Sequence, residues 1–398
     1  MTPAQYVTDD SFISFYIKAA IFMRKFVYLI IFFSFFDLFT QLPIMSPFAE
    51  SLGATPFLTG LVVGMYSFSN TIGNLFSGFL TDKKGPFLVL VTGLLATGAA
   101  LLFYQTATDA WSLLTIRFVH GLLAGFITPA AFTYLANITA KEKKGKGAAI
   151  SGAFVGLAAI IGPAFSGIVA SRTSETTVLS VTAGAMLLLG ILALFFLRTP
   201  VALNSPLKQK EEKMAQSLFQ NTDVLKSFTG AFLLMFSQGV LAYMLPLKVM
   251  RLGYDAQTSG LLLSTFGIVA ILVFLLPINS LFDRLRPELT FSFGIATMGA
   301  SLLLISQSES AAFLYTLMGL YGVGFAFLFP SINSLLIGAV EPAHRGKAYG
   351  YFYAFFSLGV VAGSTVIGVL SLSPANGFLF TGLLLISAGA FVFLRRNK

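Results

Sequence analysis

Three side chains in this sequence combine chemistry with an apolar setting: Asp37, Arg117 and His120. Asp37 lies in FFSFFDLFTQLP (residues 32–43), and Arg117 and His120 lie in RFVHG (residues 117–121). A charge in such surroundings is expensive unless it is paired or removed by a proton. A carboxylate loses its charge on protonation, an imidazole gains one, and a guanidinium stays charged throughout. Together they are the ingredients of a site that takes up and releases a proton. Asp37 is the one acid of 16 that falls mid-span, and Arg117 is the one base of 25 that lies well inside a span. This predicts that the two form a pair. Helical rise puts Asp37 about 20 Å beyond Arg24, and puts Arg117 roughly 28 Å beyond the matching end of its own helix. An arginine side chain with a water would cover most of that gap. His120 lies one turn below Arg117 and nearer to Asp37 in depth, and Gln41 is one turn above Asp37. Two readings follow: Asp37 carries a proton, or an Asp37–Arg117 bridge simply fixes two helices.

The elements that hold these residues are membrane spans. Of 398 residues, 56% are hydrophobic and 10% charged, with mean hydropathy +0.85. Soluble domains carry about 25% charged residues, so the chain reads as an all-α integral membrane protein. Apolar runs separated by charged or turn-rich breaks give twelve spans, the first at 26–47 and the fourth at 112–136. Twenty-one Lys and Arg fall at the termini or in even-numbered connections, against three (Arg172, Lys248, Arg251) in odd-numbered ones. The positive-inside rule therefore places both termini in the cytoplasm. It also accounts for the net charge of +9 without a nucleic-acid partner. Residues 1–22 do not read as a signal peptide; they read either as an interfacial helix or as an extension upstream of Met23.

The spans fall into two halves that repeat. Leu52, Gly53 and Gly60 recur as Leu252, Gly253 and Gly260 at an offset of 200; Gly121, Pro129 and Gly162 recur as Gly322, Pro330 and Gly363 at 201. Such parallel six-helix repeats build transporters in which two halves rock around a shared cavity. The expected organisation is a cytoplasmic segment 1–25, a bundle 26–197, a cytoplasmic linker 198–226, a second bundle 227–394 and a tail 395–398. Met318 is the repeat equivalent of Arg117, so the repeat can be built without this arginine.

Three motifs are similar to those of the major facilitator superfamily. GFLTDKKGP (residues 78–86) resembles its loop signature G-x-x-x-D-[RK]-x-G through Gly78, Asp82, Lys83 and Gly85, with Pro86 where a further basic residue is usual. A worn copy, with Asp283 and Arg284, follows in the second half. RFVHG resembles R-x-x-Q-G, with His120 in place of Gln. GLAAIIGPAFSG (residues 156–167) resembles the antiporter motif through Gly162, Pro163 and Gly167, with Ala158 and Ser166 where Gly is usual. The resemblance covers the chain from about Arg24 onward and is nearest to the twelve-helix drug:proton antiporters. It implies two pseudo-symmetric six-helix bundles. It also implies a latch in which Gly78 permits close approach and Asp82 caps the eleventh helix, with a tight solvated turn as the plainer alternative. Cavity residues implied on the first, seventh and tenth spans are Gln41, Gln238, Tyr243 and Asn333. The polar stripe Ser67, Asn70, Asn74 and Ser77 reads as interhelical bonding rather than a ligand site.

There is no cysteine, no phosphate-binding G-x-x-x-x-G-K-[ST] loop, no metal-ligand spacing and no nucleophile–base set, so neither an enzyme nor a cofactor is expected. The expectation is a proton-coupled exporter of small lipophilic or cationic compounds in a cytoplasmic membrane, able to work as a monomer, with substrate, protons and lipid as its partners. The alternatives are a facilitator or exporter of one metabolite class (sugar, amino acid or siderophore-like), and a non-transporting sensor or lipid-handling protein on the same scaffold.

Overall fold

The computed structural model describes residues 10–138, 144–197, 218–275, 286–341 and 345–394. Most of the linker, the second loop copy with Asp283 and Arg284, and the side chain of Asp82 lie outside the described residues. The described elements are all helical: α1 (Asp10–Thr40), α2 (Met45–Ser51), α3 (Pro56–Lys84), α4 (Pro86–Leu102), α5 (Ala110–Ala124), α6 (Ile127–Asn137), α7 (Lys144–Arg172), α8 (Glu175–Phe196), α9 (Thr222–Arg251), α10 (Ala256–Leu275), α11 (Pro287–Gln307), α12 (Ala311–Ala339), α13 (Arg345–Val369) and α14 (Pro374–Leu394). Two expected spans are broken. The first is α1 and α2, bent by 45°, and the fourth is α5 followed by α6. Residues 10–22 continue into the first span as one helix.

Ten spans, α5–α6 among them, are long and apolar enough to cross a bilayer, and α1–α2 makes an eleventh. The twelfth is α3. Its 29 residues give about 44 Å of helix, ample to span, but its polar stripe lowers its hydropathy. Two of the four bond between helices: Asn70 Nδ2 donates to the Gly121 carbonyl at 3.3 Å, and Ser77 Oγ to the Phe126 carbonyl at 2.9 Å; Asn74 donates to Asn70 on its own helix at 3.0 Å, and Ser67 borders the cavity described below.

Local chemistry sets the ends and breaks. Pro43 has no N–H and its ring obstructs the carbonyl four residues back, which ends α1 at Thr40. Gly53 and Gly253 take φ of 76° and 81°, and the residue after each donates five residues back (Ala54 to Ala49, Tyr254 to Val249, 3.0 and 3.1 Å). The same helix stop thus occurs twice, 200 residues apart. Asp109 caps α5 by accepting from the Trp111 and Ser112 amides at 2.8 and 3.0 Å. Those hydrogen bonds, Ser112 first, hold its carboxyl below the usual range. A depressed carboxyl stabilises above its unfolded pKa, and the gain disappears as pH falls through the folded one. Asp109→Asn is therefore expected to keep the cap at neutral pH and remove its acid sensitivity, read as hydrogen exchange at the Trp111 and Ser112 amides.

The halves meet along two seams related by the repeat. In one, a Cβ on Gly60 would stand 3.3 Å from the Gly368 Cα; in the other, a Cβ on Gly260 would stand 3.0 Å from the Gly167 Cα. Gly60 would also collide with the Ser364 carbonyl and Gly260 with the Pro163 carbonyl, again equivalent positions. Both contacts lie toward the membrane side opposite the termini, called the far side below. Toward the side of the termini, Gly78, Gly152 and Gly350 would meet nothing within 4 Å. Among the described residues, the seams are packed on the far side and open at these three glycines. The close approach expected at Gly78 is not made by any described residue in this conformation.

Candidate functional site

Asp37 comes from the last turn of α1, just before the break, where it is 1% exposed. Pro43 ends the helix ladder, and side chains take up the acceptors there. Gln41 Nε2 donates to the Asp37 carbonyl at 2.8 Å and to Oδ1 at 3.0 Å, and Thr40 Oγ1 donates to the same carbonyl at 2.9 Å. The other carboxylate oxygen, Oδ2, meets His120 Nε2 at 3.1 Å and accepts from Tyr66 Oη at 3.4 Å. His120 Nδ1 lies 3.0 Å from Tyr104 Oη. With Tyr104 donating, Nδ1 is an acceptor and Nε2 carries the proton that faces Asp37. Each oxygen of Asp37 thus has a donor, the arrangement that an ionised carboxylate satisfies.

The expected Asp37–Arg117 pair is corrected by this geometry. The direct hydrogen-bond partner of Asp37 on α5 is His120. Arg117, 3% exposed, spreads its fork over the α3 carbonyls of Val62 (Nε, 3.0 Å) and Val63 (Nη2, 3.1 Å), and Nη1 donates to Gln41 Oε1. Helix carbonyls keep a second lone pair for such contacts. Gln41 therefore stands between the charges, its nitrogen on Asp37 and its oxygen on Arg117. The two neutralise each other through an amide rather than by contact. Arg117 also lies 5.4 Å from the centre of the Tyr66 ring. Replacing Gln41 by leucine is expected to leave both charged groups short of a partner, at about 1–3 kcal/mol for each; thermal unfolding in detergent measures it.

Gln41, Tyr66 and Arg117 border a small cavity of about 30 Å³ that Ala242 of α9 and Val360 of α13 close from the second half. It has room for roughly one or two waters. The other expected cavity residues are not gathered here. Gln238, one turn from Ala242, has a buried Nε2 without a partner among the described residues. Tyr243 is on the far side, where its hydroxyl donates to the Pro56 carbonyl at 2.8 Å and it lines a 190 Å³ cavity with Glu50 and Arg251. Asn333 donates to the Phe329 carbonyl of its own helix at 2.8 Å and accepts from Tyr349 of α13 at 3.3 Å. Of the loop motif, Gly85 takes φ 81° between α3 and α4, and Lys83 is exposed. In the antiporter motif, Gly162 packs on Phe39 and Thr40 of α1, while Pro163 and Gly167 form the far-side seam with α10. Lys248, expected in a connection, is instead a buried residue of α9, and its amine donates to the Ser306 carbonyl at 3.1 Å.

The second half holds a neutral copy of the site. Ser237, 200 residues after Asp37, bonds Tyr321, 201 residues after His120, at 2.6 Å. Phe266 stands edge-on to Tyr321 at 5.6 Å, as Tyr66 does to His120 at 5.1 Å. The scaffold thus forms with uncharged residues at these positions.

The model of the Major Facilitator Superfamily matches residues 27–228 and again 227–398. The chain belongs to the Major Facilitator Superfamily. Its relatives include an uncharacterised transporter of this type from Methanocaldococcus jannaschii, 24% identical over 89% of this chain and 93% of that one. Multidrug resistance protein MdtG of Escherichia coli is 26% identical over 88% of this chain and 87% of that protein. Among solved structures, the fold matches an inward-facing bacterial homologue of the human lysosomal transporter Spinster (TM-score 0.79, 13% identity, 94% of this chain and 96% of that one). It matches the nucleoside transporter NupG equally (TM-score 0.79, 15% identity, 93% and 98%). This major facilitator protein is accordingly a twelve-helix membrane transporter for small molecules and not an enzyme.

Proposed function

We propose that this chain is a proton-coupled exporter of small lipophilic or cationic compounds, and that Asp37 is its proton carrier. The observation that carries the reading is the buried Asp37–His120 pair, joined through Gln41 to Arg117 at a cavity shared by both halves. Protonating Asp37 removes its charge and turns one acceptor oxygen into a donor. With the proton on Oδ2, Tyr66 loses the carboxylate acceptor that it bonds, and Arg117 loses its opposing charge. Relieving that mismatch favours a rearrangement of α1 against α5, which is how proton loading reaches the seam. A cationic compound in the cavity competes for the same carboxylate. Similarity to MdtG, a multidrug resistance protein, supports export of varied compounds.

In this reading the bundles 26–197 and 227–394 rock about the cavity, joined by the linker 198–226. The termini and the open ends of the seams face the cytoplasm, as the positive-inside rule requires. Asp82 and the loop around Gly78 close that side on α13 in the opposite state. Everted vesicles test the function: a panel of cationic, neutral and anionic compounds is added while internal pH is followed. Proton efflux triggered by several unrelated lipophilic cations is the expected result. A response confined to one metabolite class would identify a specific transporter instead.

A further inference from the structure

We propose that Tyr104 and His120 form a proton relay that reaches Asp37 from the far side of the membrane, separate from the substrate cavity. The inference rests on the proton-coupled reading above. His120 is fully buried and uses its two ring nitrogens in opposite directions, Nδ1 toward Tyr104 at 3.0 Å and Nε2 toward Asp37 at 3.1 Å. The Tyr66 and Tyr104 rings stand edge-on to it at 5.1 and 5.6 Å, which holds the bridge in place. The titratable and charged groups around the ring are Asp37 of α1, Tyr66 of α3, Tyr104 of the connection and Arg117 of its own helix. Tyr104 belongs to the single helical turn Phe103–Thr106 between α4 and α5, whose residues Phe103, Gln105 and Thr106 are exposed.

The two oxygens of Asp37 face two ways. Oδ2 meets the relay and also accepts from Tyr66, and Oδ1 meets Gln41; Tyr66 and Gln41 border the cavity, whereas Tyr104 and His120 do not line it. The position of His120 is Gln in the motif that it resembles, and a primary amide bridges by hydrogen bonds but does not take up and pass on a proton. The transfer balances without any redox change. A hydronium ion gives a proton to Tyr104 Oη as the hydroxyl proton moves to His120 Nδ1, and the imidazolium then gives its Nε2 proton to Asp37 Oδ2. Water is released, Asp37 becomes neutral, and His120 is left as its Nδ1–H tautomer, which reverts before the next cycle. Tyr104 is 1% exposed in this conformation, so the outer end of the relay is shut while the seams are open on the other side. That prevents a proton leak.

Ethidium is the probe, in everted vesicles carrying wild type, Tyr104→Phe, His120→Gln or Asp37→Asn. Ethidium-triggered proton movement is expected to fall about tenfold or more in both relay variants. Ethidium binding to the purified Tyr104→Phe and His120→Gln proteins, read by its fluorescence, is expected to persist, because both keep the Asp37 carboxylate. If Tyr104→Phe does not fold, His120→Gln carries the test, because glutamine can still donate to Asp37 and accept from Tyr104 and so preserves a purely structural bridge. Unchanged proton movement in both relay variants, with loss in Asp37→Asn, overturns the relay and leaves the exporter standing. A loss confined to His120→Gln overturns the Tyr104 end. A wild type that moves no protons with ethidium or any other compound of the panel overturns the exporter and the relay together.

Discussion

Asp37→Asn is expected to reduce compound-triggered proton movement by about 100-fold or more, the scale on which a positioned proton-transfer group acts. Asparagine keeps the size of the side chain and one acceptor oxygen, so His120 or Gln41 can still be satisfied, though not both in the present orientation. What disappears is the group that changes charge. Arg117 is then left buried without its counter-charge, and the expected secondary effect is lower thermal stability than wild type. The measurement is internal pH in everted vesicles as each compound is added, with expression and unfolding temperature as controls. A variant that expresses normally and transports with unchanged pH dependence would remove Asp37 from the coupling step. The His120–Asp37–Gln41–Arg117 chain would then be a strut between α1 and α5.

Gly260→Ala tests the seams. The added methyl would collide with the Pro163 carbonyl oxygen and stand 3.0 Å from the Gly167 Cα. Both neighbours are backbone, which cannot swing aside as a side chain tip can. Forcing a methyl into such packing costs about 1–3 kcal/mol, and that cost falls only on the conformation packed shut on the far side. The population ratio of the two conformations is expected to shift by roughly 5–150-fold toward far-side opening. Because the chain has no cysteine, a single Leu247→Cys in the far-side cavity reports this opening cleanly. Labelling by a membrane-impermeant maleimide should accelerate in Gly260→Ala and in its repeat equivalent Gly60→Ala. Equal labelling rates in wild type and both variants would mean that these glycines do not set the closure.

The repeat and the burial of charge were the legible parts of this chain. The offset of 200–201 needed only glycines and prolines to recur, and the structure returns the same offset in paired contacts, such as Gly60 on Ser364 and Gly260 on Pro163. Asp37, Arg117 and His120 stood out because few charges enter the spans. The pairing among them was not legible. Depth along a helix places a residue to within a turn but does not show which way its side chain points. Pro43 breaks the helix by its own local chemistry, but that Gln41 then stands between the charges is a tertiary outcome. Tyr104 went unnoticed because tyrosine is common near span ends, and Tyr66 because a lone mid-span tyrosine reads as packing. Comparing the halves held a signal for one of them: the repeat equivalent of Tyr66 is Phe266, a difference of one hydroxyl at a position where that hydroxyl bonds Asp37. Lys248 was misplaced because a buried amine at a helix end looks the same in sequence as one in a loop.

The neutral Ser237–Tyr321 copy in the second half has a consequence for energetics. On the reading proposed above, the one carboxylate at this position carries one proton per cycle. Exchange for a monovalent cation is then electroneutral and runs on the pH gradient alone. Exchange for an uncharged compound carries one net charge and draws on the membrane voltage as well, worth about 2.3 kcal/mol per 100 mV. Collapsing the voltage with a potassium ionophore therefore separates the two kinds of cargo, leaving the first rate untouched and slowing the second.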